Sequence, residues 1–173
     1  DICVISPGIS MEVPFVRLLK ELGKTIWGEI ELAYRCMRGR LIGITGTNGK
    51  TTTTALTGAI MEKYCGNAYV VGNIGTPYTL MVSKANDESI TVAEISSFQL
   101  ETIDEFQPDV SAVLNITPDH LNRHHTMKCY GDVKISICKN QTENQVCVLN
   151  YEDEMLREYA KGLRCRVVFF SSR

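Results

Sequence analysis

The chain has 173 residues, 44% of them apolar and 22% charged, with a formal net charge of −2. That balance describes a globular protein of one domain, or of one domain plus part of another, and gives no electrostatic case for nucleic acid or an anionic membrane. No apolar run approaches the roughly 20 residues of a membrane-spanning helix, and the first residues carry no signal-peptide pattern.

In chain order, "DICVIS" reads as a strand broken by Pro7-Gly8. Phe15, Leu18, Leu19 and Leu22 then stand at i, i+3, i+4 and i+7 between Pro14 and Gly23, the spacing of a short amphipathic helix with its start and stop signals. "KTIW", a short helix around Glu31 and the basic linker "RCMRGR" follow. From Leu41 onward short apolar runs (LIGIT, AYVV, SITVAEI, VSAVLNIT, QVCVLN, RVVFF) alternate with helical segments near 50–64, 77–85, 97–105, 127–139 and 152–162. This alternation predicts an α/β fold with a doubly wound, mostly parallel sheet. The chain opens on a strand with no earlier unit to pair with, and closes on "VVFFSSR" with nothing downstream to cover it. An architecture incomplete at both ends is therefore expected. The seven cysteines (3, 36, 65, 129, 138, 147 and 165) contain no C-x-x-C pair. Buried thiols in a reducing cytoplasm are expected, rather than disulfides or a zinc knuckle.

"LIGITGTNGKTTTT" (41–54) resembles a phosphate-binding loop, but the common G-x-x-x-x-G-K-[ST] pattern needs a glycine where Ile44 stands. Context favours a phosphate site nonetheless. LIGIT is a buried-strand pattern, and Ala55, Leu56, Ala59, Ile60 and Lys63 follow at helical spacing. The turn thus meets a helix N-terminus, where free amides and the helix dipole favour anions. Lys50 places an ammonium for phosphate oxygens and Thr51 a hydroxyl for Mg²⁺. The plain alternative is a glycine-rich turn with a solvated lysine.

Two charges stand where apolar residues belong. Glu94 continues the strand face of Ile90 and Val92 at a carboxyl end, where open α/β sheets bind ligands; a carboxylate there suits Mg²⁺. Lys134 lies inside the helical stripe Met127, Tyr130, Val133, Ile137 and Cys138. Either its stem packs while its head reaches water, or its amine enters the same site as Glu94. All three histidines fall in "NITPDHLNRHH". His120 and His124 are spaced i, i+4, as in a helical metal pair. A single ligand, His120, oriented by Asp119, is preferred, with His124 and His125 on the surface.

Together these residues resemble the Mur ligase family, the ATP-dependent amide-forming ligases of bacterial peptidoglycan precursor synthesis. The resemblance rests on "GTNGKTT", "GNIGTP" (72–77), "EISSFQLE" (94–101) and "NITPDHLNRH", and runs from "SPGI" to "VCVLN". The "SSFQLE" string points within the family to the members that join D-glutamate to UDP-N-acetylmuramoyl-L-alanine. The resemblance implies that Gly46, Thr47, Asn48, Gly49, Lys50, Thr51, Thr52 and Thr53 hold the ATP phosphates. It implies one Mg²⁺ on Thr51 and Glu94, and a second on Glu94, His120 and a Lys134 carbamylated by CO₂. Lys50, Asn73, His120 and Lys134 are the implied catalytic set; Asn73 and Ser96 would contact the muramoyl substrate. Ser6-Pro7-Gly8 would end the domain holding its UDP portion. Residues 1–37 would then be a remnant of that domain and 38–173 a truncated ATP-binding domain, with the amino-acid-binding domain absent. Asn122 and His125 depart from the family pattern, where aspartate and glycine are usual. A nucleotide-binding module without ligase activity and a generic P-loop nucleoside triphosphatase are the competing readings.

Overall fold

Residues 1–172 are described by the computed structural model, and among them the strands form two parallel sheets. The smaller pairs β1 (Ile2–Ile5) with β2 (Thr25–Gly28), joined through α1 (Pro14–Glu21). Helix α2 (Glu29–Cys36) leads from it into the larger sheet. That sheet contains β3 (Arg40–Thr45), β4 (Ala68–Gly72), β5 (Ile90–Glu94), β6 (Val110–Val113), β7 (Val146–Asn150) and β8 (Arg166–Phe170). Their order is β4-β5-β3-β6-β7-β8, every neighbour parallel. The crossovers contain α3 (Lys50–Cys65), α4 (Tyr78–Met81), α5 (Ser97–Leu100), α6 (Leu121–His124), α7 (Met127–Ile135) with a 3₁₀ turn at Ser136–Cys138, and α8 (Glu154–Ala160). The expected strands and helices are all present, and the short α6 adds one helix that the sequence reading does not include. After β5 the chain crosses to the far side of β3, so the carboxyl ends of β3, β5 and β6 border the point where the winding reverses. Open α/β sheets bind their ligands in that crevice.

The two sheet faces are covered unequally. One carries the main core, in which Tyr78, Phe106, Tyr130, Ile137, Leu149 and Leu156 are buried. The other holds a smaller cluster of Ile44, Val92 and Ala112 beneath α3. The stripe Ala55, Leu56, Ala59 and Ile60 faces outward, while Thr54 and Gly58 are the buried residues of α3. A Cβ on Gly58 would lie 2.1 Å from Val70 Cγ2, so the small face is what lets the helix lie close to β4. In α1 likewise Val16 is buried, whereas Phe15, Leu18 and Leu22 are exposed. Both helices form where expected, but with their larger apolar side chains toward solvent.

The N-terminal unit is tied down by a buried charge. Glu31 is fully buried and accepts the backbone N–H groups of Asp104, Glu105 and Phe106 at 2.8, 3.0 and 3.0 Å. Arg35, one turn later, donates to Glu31 at 2.6 Å and lies 4.2 Å above the ring of Trp27.

Candidate active site

Strand β3 ends at Thr45, and the chain turns through Gly46 to Gly49 into α3. Gly49, the residue before the helix, has φ 82°, a left-handed conformation that costs glycine nothing. The turn is braced from the segment after β6. Thr47 N–H donates to Asn115 O at 3.0 Å, and Asn48 N–H to Asn115 Oδ1 at 2.8 Å. Asn115 Nδ2 returns a bond to Asn48 O at 3.0 Å, and Thr117 N–H donates to Thr47 Oγ1 at 3.0 Å. The Thr47 hydroxyl also lies 3.3 Å from that of Tyr130. The amides of Thr47 and Asn48 are thus engaged in shaping the loop, which narrows the expectation that all of 46–53 serve phosphates. Thr53 N–H already bonds Gly49 O at 3.0 Å. The amides of Lys50, Thr51 and Thr52 belong to the first helical turn, which has no intrahelical acceptors to offer them. Tyr130 enters the sequence reading only as part of the apolar stripe of α7, and Asn115 and Thr117 not at all; an asparagine two residues beyond a buried strand is the available signal.

Glu94 closes β5 opposite Ile44 and Gly72 in the register of the neighbouring strands. It is 2% exposed, so it does not stand in solvent. Thr51 Oγ1 donates to its Oε2 at 2.9 Å and Asn73 Nδ2 to its Oε1 at 3.0 Å. The backbone supports the same pairing, with Asn73 N–H on Glu94 O at 2.8 Å. Gly72 makes it sterically possible: its φ is 111°, and a Cβ there would stand 2.1 Å from Glu94 O. A buried carboxylate met by two neutral donors is electrostatically uncompensated, an arrangement that welcomes a hard cation.

Lys134 is 1% exposed, which excludes a head group reaching water. Its Nζ donates to Gly46 O at 2.8 Å and lies 4.7 Å from the centre of the Tyr130 ring. Lys50 Nζ donates to the same Gly46 O at 2.9 Å and to Thr47 O at 2.9 Å. Burial, reinforced by the nearby Lys50 charge, brings the Lys134 ammonium down to about 7, so a large fraction is neutral amine near neutral pH.

The histidine segment separates into two environments. His120 has φ 50°, and its half-exposed ring lies 4.9 Å from that of Phe98, with Nε2 3.5 Å from Asp119 Oδ2. His124, expected on the surface, is 4% exposed; its Nε2 lies 3.0 Å from Ser97 Oγ and its Nδ1 3.7 Å from Glu101. Desolvation lowers its basicity. The helical-pair spacing fails because α6 begins only after His120; both rings lie against Phe98, but their polar partners differ. Arg123 clamps Glu101 with two bonds of 3.1 and 2.6 Å and reaches Ile9 O at 3.2 Å, just beyond Ser6-Pro7-Gly8. Those three residues form a turn in which Ile9 N–H bonds Ser6 O at 2.9 Å. Ser96 caps α5: its Oγ accepts Gln99 N–H at 3.2 Å while Gln99 Oε1 takes Ser96 N–H at 2.9 Å. The structure therefore shows two hydrogen-bonded groups, Lys50 and Lys134 on Gly46 O, and Thr51 and Asn73 on Glu94, which adjoin where Lys50 precedes Thr51 in the chain. His120, Ser96 and the Ser6–Gly8 turn have no direct hydrogen bond to either.

A strand-loop-helix phosphate cradle at the switch point of a parallel sheet, with a buried acid on the adjacent strand, defines a P-loop type nucleotide-binding α/β protein. The sequence pattern described for the Mur ligase middle domain matches residues 44–173. The chain belongs to the Mur ligase family. It is 58% identical over 172 residues to a UDP-N-acetylmuramoylalanine–D-glutamate ligase of Lachnospira eligens, covering 99% of this chain and 38% of that one. The enzyme of the same name from Clostridioides difficile is 52% identical with the same coverage, 99% and 38%. The chain thus spans under two fifths of the length of these relatives. Among solved structures, MurF ligase from Thermotoga maritima in complex with ADP superposes with a TM-score of 0.67 at 22% identity, covering all of this chain and 48% of that one. FolC of E. coli in complex with DHPP and ADP gives 0.56 at 15% identity, covering 93% and 52%. No helix among the described residues is long and apolar enough to cross a membrane.

Proposed function

We propose that this chain is the ATP-binding part of a ligase that joins D-glutamate to UDP-N-acetylmuramoyl-L-alanine through an acyl phosphate, in peptidoglycan precursor synthesis. The observation that carries the reading is the Thr51–Glu94–Asn73 bridge beside the phosphate loop, with the buried Lys134 amine of α7 donating to that loop at Gly46 O. The relatives' shared name supplies the substrates. In the first step a carboxylate oxygen of the muramoyl-alanine attacks the γ-phosphorus of ATP and ADP leaves; in the second the D-glutamate amine displaces phosphate. Lys50 leaves its two loop carbonyls to neutralise the phosphates, and the amides of Lys50, Thr51 and Thr52 hold them at the helix N-terminus. Asn73 keeps Glu94 in place and, being exposed, would be open to the substrate. Ser96, although occupied as a cap, would contact the muramoyl group from the loop after β5.

Glu94 and Thr51 fit Mg²⁺, being oxygen donors around an uncompensated buried charge. Such an ion would supply charge neutralisation on the phosphates. Lys134, as free amine, fits the expected carbamate: its nitrogen adds to CO₂ and releases one proton, converting a base into an anion. His120 would join the donors of a second Mg²⁺. Residues 1–37 would belong to the domain that holds the UDP portion, and 38–173 to the ATP-binding domain.

In the ligase carrying this chain, Lys50→Ala is expected to abolish acyl-phosphate formation, assayed by trapping with hydroxylamine. Undiminished trapping would remove the loop from the reaction. Because the chain spans only 38% of its relatives, a second reading is a nucleotide-binding module without turnover. ATP titration together with a phosphate-release assay on the 173 residues separates the two. Rapid release with no acceptor present would instead favour a generic nucleoside triphosphatase.

A further inference from the structure

Three of the seven cysteines, separated in sequence, converge in space. Cys36, Cys65 and Cys129 are exposed, against the expectation of buried thiols, whereas Cys138, Cys147 and Cys165 are buried. The sulfurs of these last three all lie within 4.8 Å of one another. They come from three separate elements: the 3₁₀ turn after α7, the middle of β7, and the turn entering β8. Cys147 is paired in register with Ser111 of β6 and Val167 of β8. Ser111 in turn donates to Gln141 Oε1 at 2.9 Å, so a small polar nest lies within the main core. Packing alone needs only a small apolar side chain at each position; three sulfurs converging make a donor set.

We propose that Cys138, Cys147 and Cys165 form a binding site for a soft d¹⁰ cation of low coordination number, of the Cu(I) and Ag(I) class. Sulfur donors select such ions. Zinc is disfavoured because structural zinc sites take four ligands, and among the described residues the group contains three candidates. A sulfur takes such an ion as a thiolate, and its proton leaves to solvent.

The test uses the protein with Cys3, Cys36, Cys65 and Cys129 replaced by serine, leaving only the buried thiols. Cu(I), kept reduced and buffered by a chromogenic chelator, is expected to be withheld at one ion per chain. X-ray absorption should then show a shell of sulfur neighbours only. Cys147→Ser and, separately, Cys165→Ser are each expected to weaken retention at least tenfold, with circular dichroism confirming that the variants fold. Cys165→Ser, in a turn, keeps the test decisive if the strand variant does not fold. No retained ion, equal retention by a folded serine variant, or a preference for Zn(II) over Cu(I) would overturn the proposal.

Discussion

Lys134 shows how one side chain converts burial into chemistry. Its amine is brought to about 7 in the fold, while an unfolded chain returns it to the ordinary lysine range. Between about pH 7 and 10 the unfolded state therefore binds a proton that the folded state lacks. Stability must rise with pH across that window, by roughly 1 kcal/mol per unit, and level off on either side. Lys134→Met should remove this slope and make the protein more stable at pH 7, by about 1–3 kcal/mol. Urea unfolding at pH 7 and pH 9.5 in CO₂-depleted buffer measures both effects; an unchanged slope would show that Lys134 is not the group responsible. His124 offers a second case. Truncation to alanine leaves the Ser97 hydroxyl buried without its 3.0 Å partner and should cost about 1–3 kcal/mol, read from the same unfolding curves. Histidine at this position could not be distinguished from a surface residue by spacing, because its burial depends on Ser97 and Glu101, distant in sequence.

At the scale of elements, the backbone order was legible and the facing of two helices was not. Alternating apolar runs and helical segments announced every strand, and Gly49 and Gly66 mark the two ends of α3 in left-handed conformations. The apolar stripe of α3, however, invited the wrong face. Close approach of helix to sheet is decided by the smallest residues, here Thr54 and Gly58, and hydrophobicity patterns count those least. The row Ile90, Val92, Glu94 was readable because a strand has only two faces, and a charge in the apolar one stands out. Gly72 is where that strand end is most easily broken. Gly72→Ala forces a left-handed backbone and drives a methyl group into Glu94 O. It should destabilise the protein by about 2–3 kcal/mol or more and disturb Asn73 against Glu94. If Gly72→Ala unfolds like the parent in urea and leaves nucleotide affinity unchanged, the tight β4–β5 crossing has no such role.

For the molecule as a whole, a fully buried carboxylate helps to couple the small sheet to the large one. Glu31 reaches from α2 into the loop at 104–106, where it satisfies three amides and meets Arg35. Glu31→Ala strands those donors and should cost about 3 kcal/mol or more. The sole tryptophan, Trp27, lies under Arg35 and reports the loss by its fluorescence; an unchanged unfolding midpoint would mean that the units are held otherwise. This clamp was invisible in the sequence, since Glu31 and residues 104–106 share no local pattern. The phosphate loop adds a final constraint. Gly46 O accepts from both lysine side chains, at 2.8 and 2.9 Å, and the Lys50 charge works against protonation of Lys134. An anion that attracts Lys50 away leaves Lys134 alone on that oxygen, relieved of a neighbour that had been pushing its proton off. Occupancy of the loop and ionisation of the second lysine are therefore thermodynamically linked: filling one site retunes the other with no movement of the backbone.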